Sequence, residues 1–136
     1  MKKILLLEDD KKIAKALGIR LRAAGYDVWI EHDGLEGIKA ALEYQPDLIL
    51  SDIWMPGEAG FNVAERLKAH GIENVPFIFI TASRKKNLWR LAQEVGAAAF
   101  FEKPYSAEKL LAAIDHALDP DSPPSACSDS LNLVHS

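Results

Sequence analysis

An α/β sandwich of three layers, α/β/α, with five parallel strands doubly wound between helices, is the fold that this sequence predicts. Three observations carry that reading. Five short apolar runs with strand-like composition recur along the chain, at residues 4–7, 26–30, 48–50, 77–80 and 98–101. A helix-sized segment with apolar residues at helical spacing follows each run. The runs are continuously apolar rather than alternating, as in parallel strands buried on both faces and joined by right-handed crossovers.

The elements follow in chain order. The first run stops at Glu8, Asp9 and Asp10, and its helix carries the stripe Ile13, Leu17 and Leu21 before Gly25 ends it. After the second run Asp33 offers an N-cap, and Leu35, Ile38 and Leu42 form the stripe. The third run, Leu48, Ile49 and Leu50 with Ser51, reaches Asp52 and then a turn at Met55, Pro56 and Gly57. The third helix has the weakest stripe, Phe61, Ala64 and Leu67, and Gly71 closes it. The fourth run ends at Thr81, with a helix expected over 83–95, Ser83 as its N-cap, Leu88, Leu91, Ala92 and Val95 as its stripe, and Gly96 at its end. Lys103 comes two residues after the fifth run, Ser106 caps the last helix, and Leu110, Ile114 and Leu118 face inward.

A chain of 136 residues suits one domain, expected over 1–118. Residues 119–136 hold Pro120, Pro123, Pro124 and five serines, with almost nothing to bury, and read as a flexible tail or linker stump. The chain is thus expected to be either a stand-alone module or a piece of a longer protein, the tail favouring the piece. No apolar run approaches the roughly 20 residues of a membrane span. The acids at 8–10 also interrupt the N-terminal apolar run too early for a signal peptide, so a cytoplasmic protein is expected. Cys127 stands alone and has no metal-binding neighbours. A net charge of -4 disfavours direct binding of nucleic acid, which depends on attraction to phosphates.

In an open α/β sheet, the site forms beyond the carboxyl ends of the strands. The residues found there are Glu8 and Asp9, Asp52, Thr81 and Lys103. Singly, each has an ordinary explanation: the acids as helix caps, Asp52 as a turn residue, Thr81 as a strand-end hydroxyl, Lys103 as a solvated lysine. Together they make one phosphate site. Crowded carboxylates repel one another unless a cation or proton compensates, and Mg2+ takes oxygen ligands where carboxylates meet a phosphate. Asp9 and Asp52 are the candidate direct ligands, with Glu8 acting mostly through water and Trp54 offering its backbone carbonyl. Asp52 is the acid placed to attack phosphorus, while Lys103 neutralises phosphoryl oxygens.

These residues resemble the receiver domains of response regulators, from about residue 2 to 118. LLLEDD resembles the acidic pair of the first strand, PDLILSDIWMPGEAGF the segment around the phosphorylated aspartate, FIFITAS the fourth strand with its hydroxyl, and FFEKPYS the lysine–proline motif. The resemblance implies a flavodoxin-like strand order 2-1-3-4-5 and a cis bond before Pro104. It implies Asp52 as phosphoacceptor, Glu8 and Asp9 as the metal pair, Thr81 as switch hydroxyl and Lys103 as phosphate-binding lysine. It also implies a histidine kinase or histidine phosphotransfer protein as donor, with acetyl phosphate as a small substitute. In such a switch Thr81 turns toward the phosphoryl group and makes room for Phe100, where many relatives carry tyrosine. Bulky Trp54 would alter the phosphate's lifetime. The fourth helix, fifth strand and fifth helix form the family's signalling surface and a possible homodimer face; here Arg84, Lys85, Lys86, Trp89 and Arg90 lie off the apolar stripe.

Two other classes compete. A receiver-like interaction module that is not phosphorylated would keep the fold without the chemistry, yet all five chemical positions are intact. An aspartate-based phosphatase would need an Asp-x-Asp pair after the first strand. A flavodoxin would need a phosphate-binding loop there instead of three acids.

Overall fold

The computed structural model describes residues 1–54, 59–72, 74–82 and 87–119. Its ten elements alternate strictly: β1 (Lys3–Leu7), α1 (Lys11–Ala23), β2 (Asp27–Glu31), α2 (Gly34–Tyr44), β3 (Leu48–Asp52), α3 (Gly60–Ala69), β4 (Phe77–Thr81), α4 (Leu88–Glu94), β5 (Ala99–Glu102) and α5 (Ala107–Leu118). All strand pairs are parallel, and the sheet order is β2-β1-β3-β4-β5, as the resemblance implied. This is the three-layer flavodoxin-like fold.

The central strands lie between two layers of helices, so nearly every side chain in them is buried. Ile4 to Leu7 of β1, Leu48, Ile49 and Leu50 of β3, and Ile78, Phe79 and Ile80 of β4 are all closed to solvent. Each such aliphatic side chain stabilises the fold by about 1.5–3 kcal/mol relative to leaving it exposed. That core fixes the register, and the register fixes the strand ends. Leu7 lies opposite Ser51 and Asp52 opposite Ile80, so the residues leaving β1 and β3 emerge on one rim.

Helix starts follow the sequence. Asp10 accepts hydrogen bonds from the backbone N–H groups of Lys12 and Ile13, Asp33 from Glu36, and Ser106 from Lys109. Gly25, Gly71 and Gly96 have positive φ, the left-handed conformation expected just past a helix end.

Two helical faces differ from the sequence reading. In α2, Leu35 and Leu42 are exposed, and the buried residues are Gly34, Gly37, Ile38, Ala40 and Ala41. In α1, Ile13 is exposed, while Ala14, Leu17, Gly18 and Leu21 face inward. The cause is close approach. A Cβ on Gly37 would lie 2.8 Å from Leu7 Cδ2, and one on Gly18 would lie 2.9 Å from Ile30 Cδ1. The helices sit so near the sheet that small residues line the contact. The described part of α4 starts at Leu88 rather than 83, after Asn87 as N-cap. Ser83, Arg84, Lys85 and Lys86, the turn at 55–57, and the tail from Pro120 onward lie outside the described residues.

Candidate functional site

Two neighbouring strand ends bring the expected acids together. Glu8 follows β1, Asp52 ends β3, and one ligand oxygen from each of Glu8, Asp9 and Asp52 lies within 4.8 Å of the others. Glu8 and Asp52 are buried, at 1% and 6% exposure, whereas Asp9 is exposed and forms the open side of the cluster. Lys103 lies against the two buried acids. Its Nζ donates to Glu8 Oε1 at 3.0 Å and to Asp52 Oδ2 at 3.1 Å, so one ammonium is shared by two carboxylates. The Lys103 backbone N–H donates to the Thr81 carbonyl at 2.7 Å, and the Lys103–Pro104 bond is cis.

The backbone around Asp52 is held as tightly. The N–H of Trp54 donates to Asp52 Oδ1 at 3.2 Å, and Ser51 Oγ donates to the Asp52 carbonyl at 2.7 Å. The Gly60 N–H donates to the Ile53 carbonyl at 2.8 Å. A Cβ on Gly60 would stand 2.6 Å from the Asp52 carbonyl oxygen, so α3 can begin beneath the strand end only with glycine there. Trp54 itself is half exposed beside the cluster.

Thr81 is fully buried at the end of β4, one residue beyond the Ile80 that pairs with Asp52. Phe100 is buried in β5 opposite Phe79, and strand alternation puts Phe79, Thr81 and Phe100 on the same face of the sheet. Trp89 on α4 is exposed, at 41%.

The electrostatics follow from this packing. Burial pushes the Glu8 carboxyl up to about 7, with the charge of Asp52 adding to the rise; the hydrogen bonds from Lys103 and the Asp10 N–H work against it. Burial works against the Lys103 ammonium too, but its hydrogen bonds to Glu8 and Asp52 and the charge of Asp52 outweigh that and raise its pKa. Burial likewise raises the Tyr105 hydroxyl. Lys103 therefore only partly offsets the cost of burying the Glu8 carboxylate beside Asp52. Clustered hard oxygens, one of them on an exposed acid, fit an octahedral Mg2+ that retains waters on its open side.

Reasoning from strand ends located Glu8, Asp9, Asp52, Thr81 and Lys103. It did not single out Ser51, Gly60 or His32, whose Nδ1 lies 2.8 Å from the Glu8 carbonyl oxygen. Gly60 falls inside the motif PDLILSDIWMPGEAGF, but the close approach that requires it is a tertiary contact, and a ring-to-carbonyl bond like that of His32 has no sequence pattern either.

Comparison with known proteins finds matches along most of the chain. The model of the response regulator receiver domain matches residues 4–115. An uncharacterized transcriptional regulatory protein of Bacillus subtilis (strain 168), YkoG, is 38% identical over 115 residues, which is 85% of this chain and 50% of that protein. The chain thus spans about half the length of that relative. Among solved structures, the N-terminal domain of an uncharacterized protein from Wolinella succinogenes is 30% identical, with a TM-score of 0.80 over 86% of this chain and 94% of that one. The BeF3-activated N-terminal receiver domain of Klebsiella pneumoniae RstA is 27% identical, with a TM-score of 0.80 over 86% and 98% of the two chains.

Proposed function

Because this chain belongs to the response regulator receiver domain family, we propose that it is the phosphoacceptor switch of a two-component phosphorelay, with Asp52 as the residue that carries the phosphoryl group. The observation that supports this most directly is the shared ammonium of Lys103 between Glu8 and Asp52, beside the acidic cluster. Mg2+ held by Asp9, Asp52 and the Trp54 carbonyl, with Glu8 through water, would supply charge neutralisation to the phosphoryl oxygens.

The side chains have distinct tasks. The Trp54 N–H orients the Asp52 carboxylate through Oδ1, leaving the Oδ2 side toward Lys103. A carboxylate oxygen of Asp52 attacks phosphorus, forming an O–P bond as the P–N bond of a donor phosphohistidine breaks; the imidazole leaves with the electron pair and is reprotonated by solvent. Lys103 then follows the added charge from carboxylate to phosphoryl oxygen. Thr81 donates its hydroxyl to the new acceptor, and Phe100 on the same face reports the change toward α4, β5 and α5.

The proposal includes a histidine kinase or histidine phosphotransfer protein as donor, a cytoplasmic setting, residues 1–118 as the working domain, and no direct contact with nucleic acid. The α4, β5 and α5 face is the proposed output or homodimer surface. Among the described residues no helix is long and apolar enough to cross a membrane.

Acetyl phosphate tests the chemistry without a cognate kinase. In Mg2+ the chain should gain the mass of one phosphoryl group, labile to alkali and located on the peptide that contains Asp52. Chelation by EDTA should abolish the gain. An unmodified chain in Mg2+ would favour the interaction-module reading.

A further inference from the structure

The geometry points to His32 as a positioning residue for the metal site, an inference that rests on the reading of that site as a Mg2+ centre. His32 follows β2, outside the acidic cluster, whose members come from the ends of β1 and β3. Its Nδ1 lies 2.8 Å from the backbone carbonyl oxygen of Glu8. A carbonyl oxygen only accepts, so Nδ1 carries the hydrogen.

The carbonyl that His32 holds is part of the peptide group joining Glu8 to Asp9. That group is planar and nearly rigid, so pinning its oxygen fixes the plane from which the Asp9 side chain departs. The other backbone group of Glu8 is held by the same strand, because its N–H donates to the Glu31 carbonyl at 3.1 Å. The Glu8 side chain is fixed as well, Oε1 by Lys103 and Oε2 by the Asp10 N–H at 3.2 Å. Every polar group of Glu8 thus has a partner, and the exposed carboxylate of Asp9 projects from an immobilised backbone. Without the His32 bond, the peptide plane could turn where the chain leaves the sheet, and Asp9 would have to be ordered at the moment of metal binding. Partners that orient ligands in this way change metal affinity by about 10–100-fold when removed.

The test is direct titration of the metal-free full chain with Mg2+ by calorimetry, with urea denaturation run in parallel. His32→Ala should bind Mg2+ about tenfold more weakly than wild type. His32→Asn, whose amide nitrogen replaces Nδ1, should return most of that affinity. Should His32→Ala fail to fold, the comparison passes to His32→Asn against His32→Gln, whose amide reaches instead to the Nε2 position; Asn should then bind the tighter. Equal affinities across wild type, Ala, Asn and Gln would overturn the positioning role while leaving the metal site intact. Weak binding by Asn and Ala alike would overturn it too, since a restored donor would have restored nothing. A wild-type chain that binds no Mg2+ would overturn the metal site and this inference with it.

Discussion

Asp52→Asn should eliminate labelling by acetyl phosphate altogether, and should at the same time make the metal-free protein more stable. The first effect follows from chemistry: an amide oxygen is too poor a nucleophile for phosphorus, and neither Glu8, buried and bonded to Lys103, nor exposed Asp9 replaces it on the strand end. The second follows from electrostatics. Asp52 raises the pKa of Glu8 by repulsion, so removing its charge lets Glu8 ionise more easily against Lys103. Asparagine keeps an acceptor for the Trp54 N–H, although Lys103 then has one full carboxylate instead of two. A gain of about 1 kcal/mol in unfolding free energy near neutral pH is expected, in the range of a modest change in a neighbour's pKa. Intact-protein mass spectrometry checks the first effect and urea denaturation the second. Persistent labelling of the variant at another acid would remove Asp52 from its assigned role.

Lys103→Met should have the opposite effect on stability and the same effect on chemistry. Removing one member of a buried ion pair leaves its partners uncompensated, at a cost of about 3–5 kcal/mol. Here two carboxylates lose one ammonium, and the penalty depends on pH. A carboxyl whose folded-state pKa is raised contributes stability that is complete below its unfolded value, 4.5 for Glu8, and is lost as the pH climbs through the folded value of about 7. Without Lys103 the folded value rises further. The variant should therefore lose about 3 kcal/mol against wild type near pH 8 and clearly less near pH 5, where Glu8 is protonated and only the pair with Asp52 is missed. Denaturation at the two pH values measures this, and a pH-independent difference would show that the methionine acts through packing alone.

Most of the site was legible because parallel strands in one register must end on one rim. Once residues 4–7, 48–50 and 77–80 read as neighbouring buried strands, Glu8, Asp52 and Thr81 had to converge, and core packing left little freedom to their positions. The strand order itself came from the family resemblance, since periodicity does not say which strands are neighbours.

The helical faces were less legible. Leu35 and Leu42 look like core by hydrophobicity, yet α2 turns Gly37 and Ala41 inward because Leu7 already fills the space beneath. Hydrophobic spacing registers large residues and is blind to contacts that require small ones. His32 escaped for another reason: its bond to the Glu8 carbonyl spans 24 residues and depends on where β2 ends beside β1.

The whole account depends on the compensation of negative charge at the sheet's rim by a divalent cation. The most direct measurement is the change in unfolding free energy that saturating Mg2+ produces at about pH 8 and about pH 5. At 100 times its dissociation constant a ligand specific for the folded state adds about 2.7 kcal/mol. A gain of that order near pH 8, shrinking sharply near pH 5 as Glu8 takes up its proton, is the expected result; no gain near pH 8 would contradict the account.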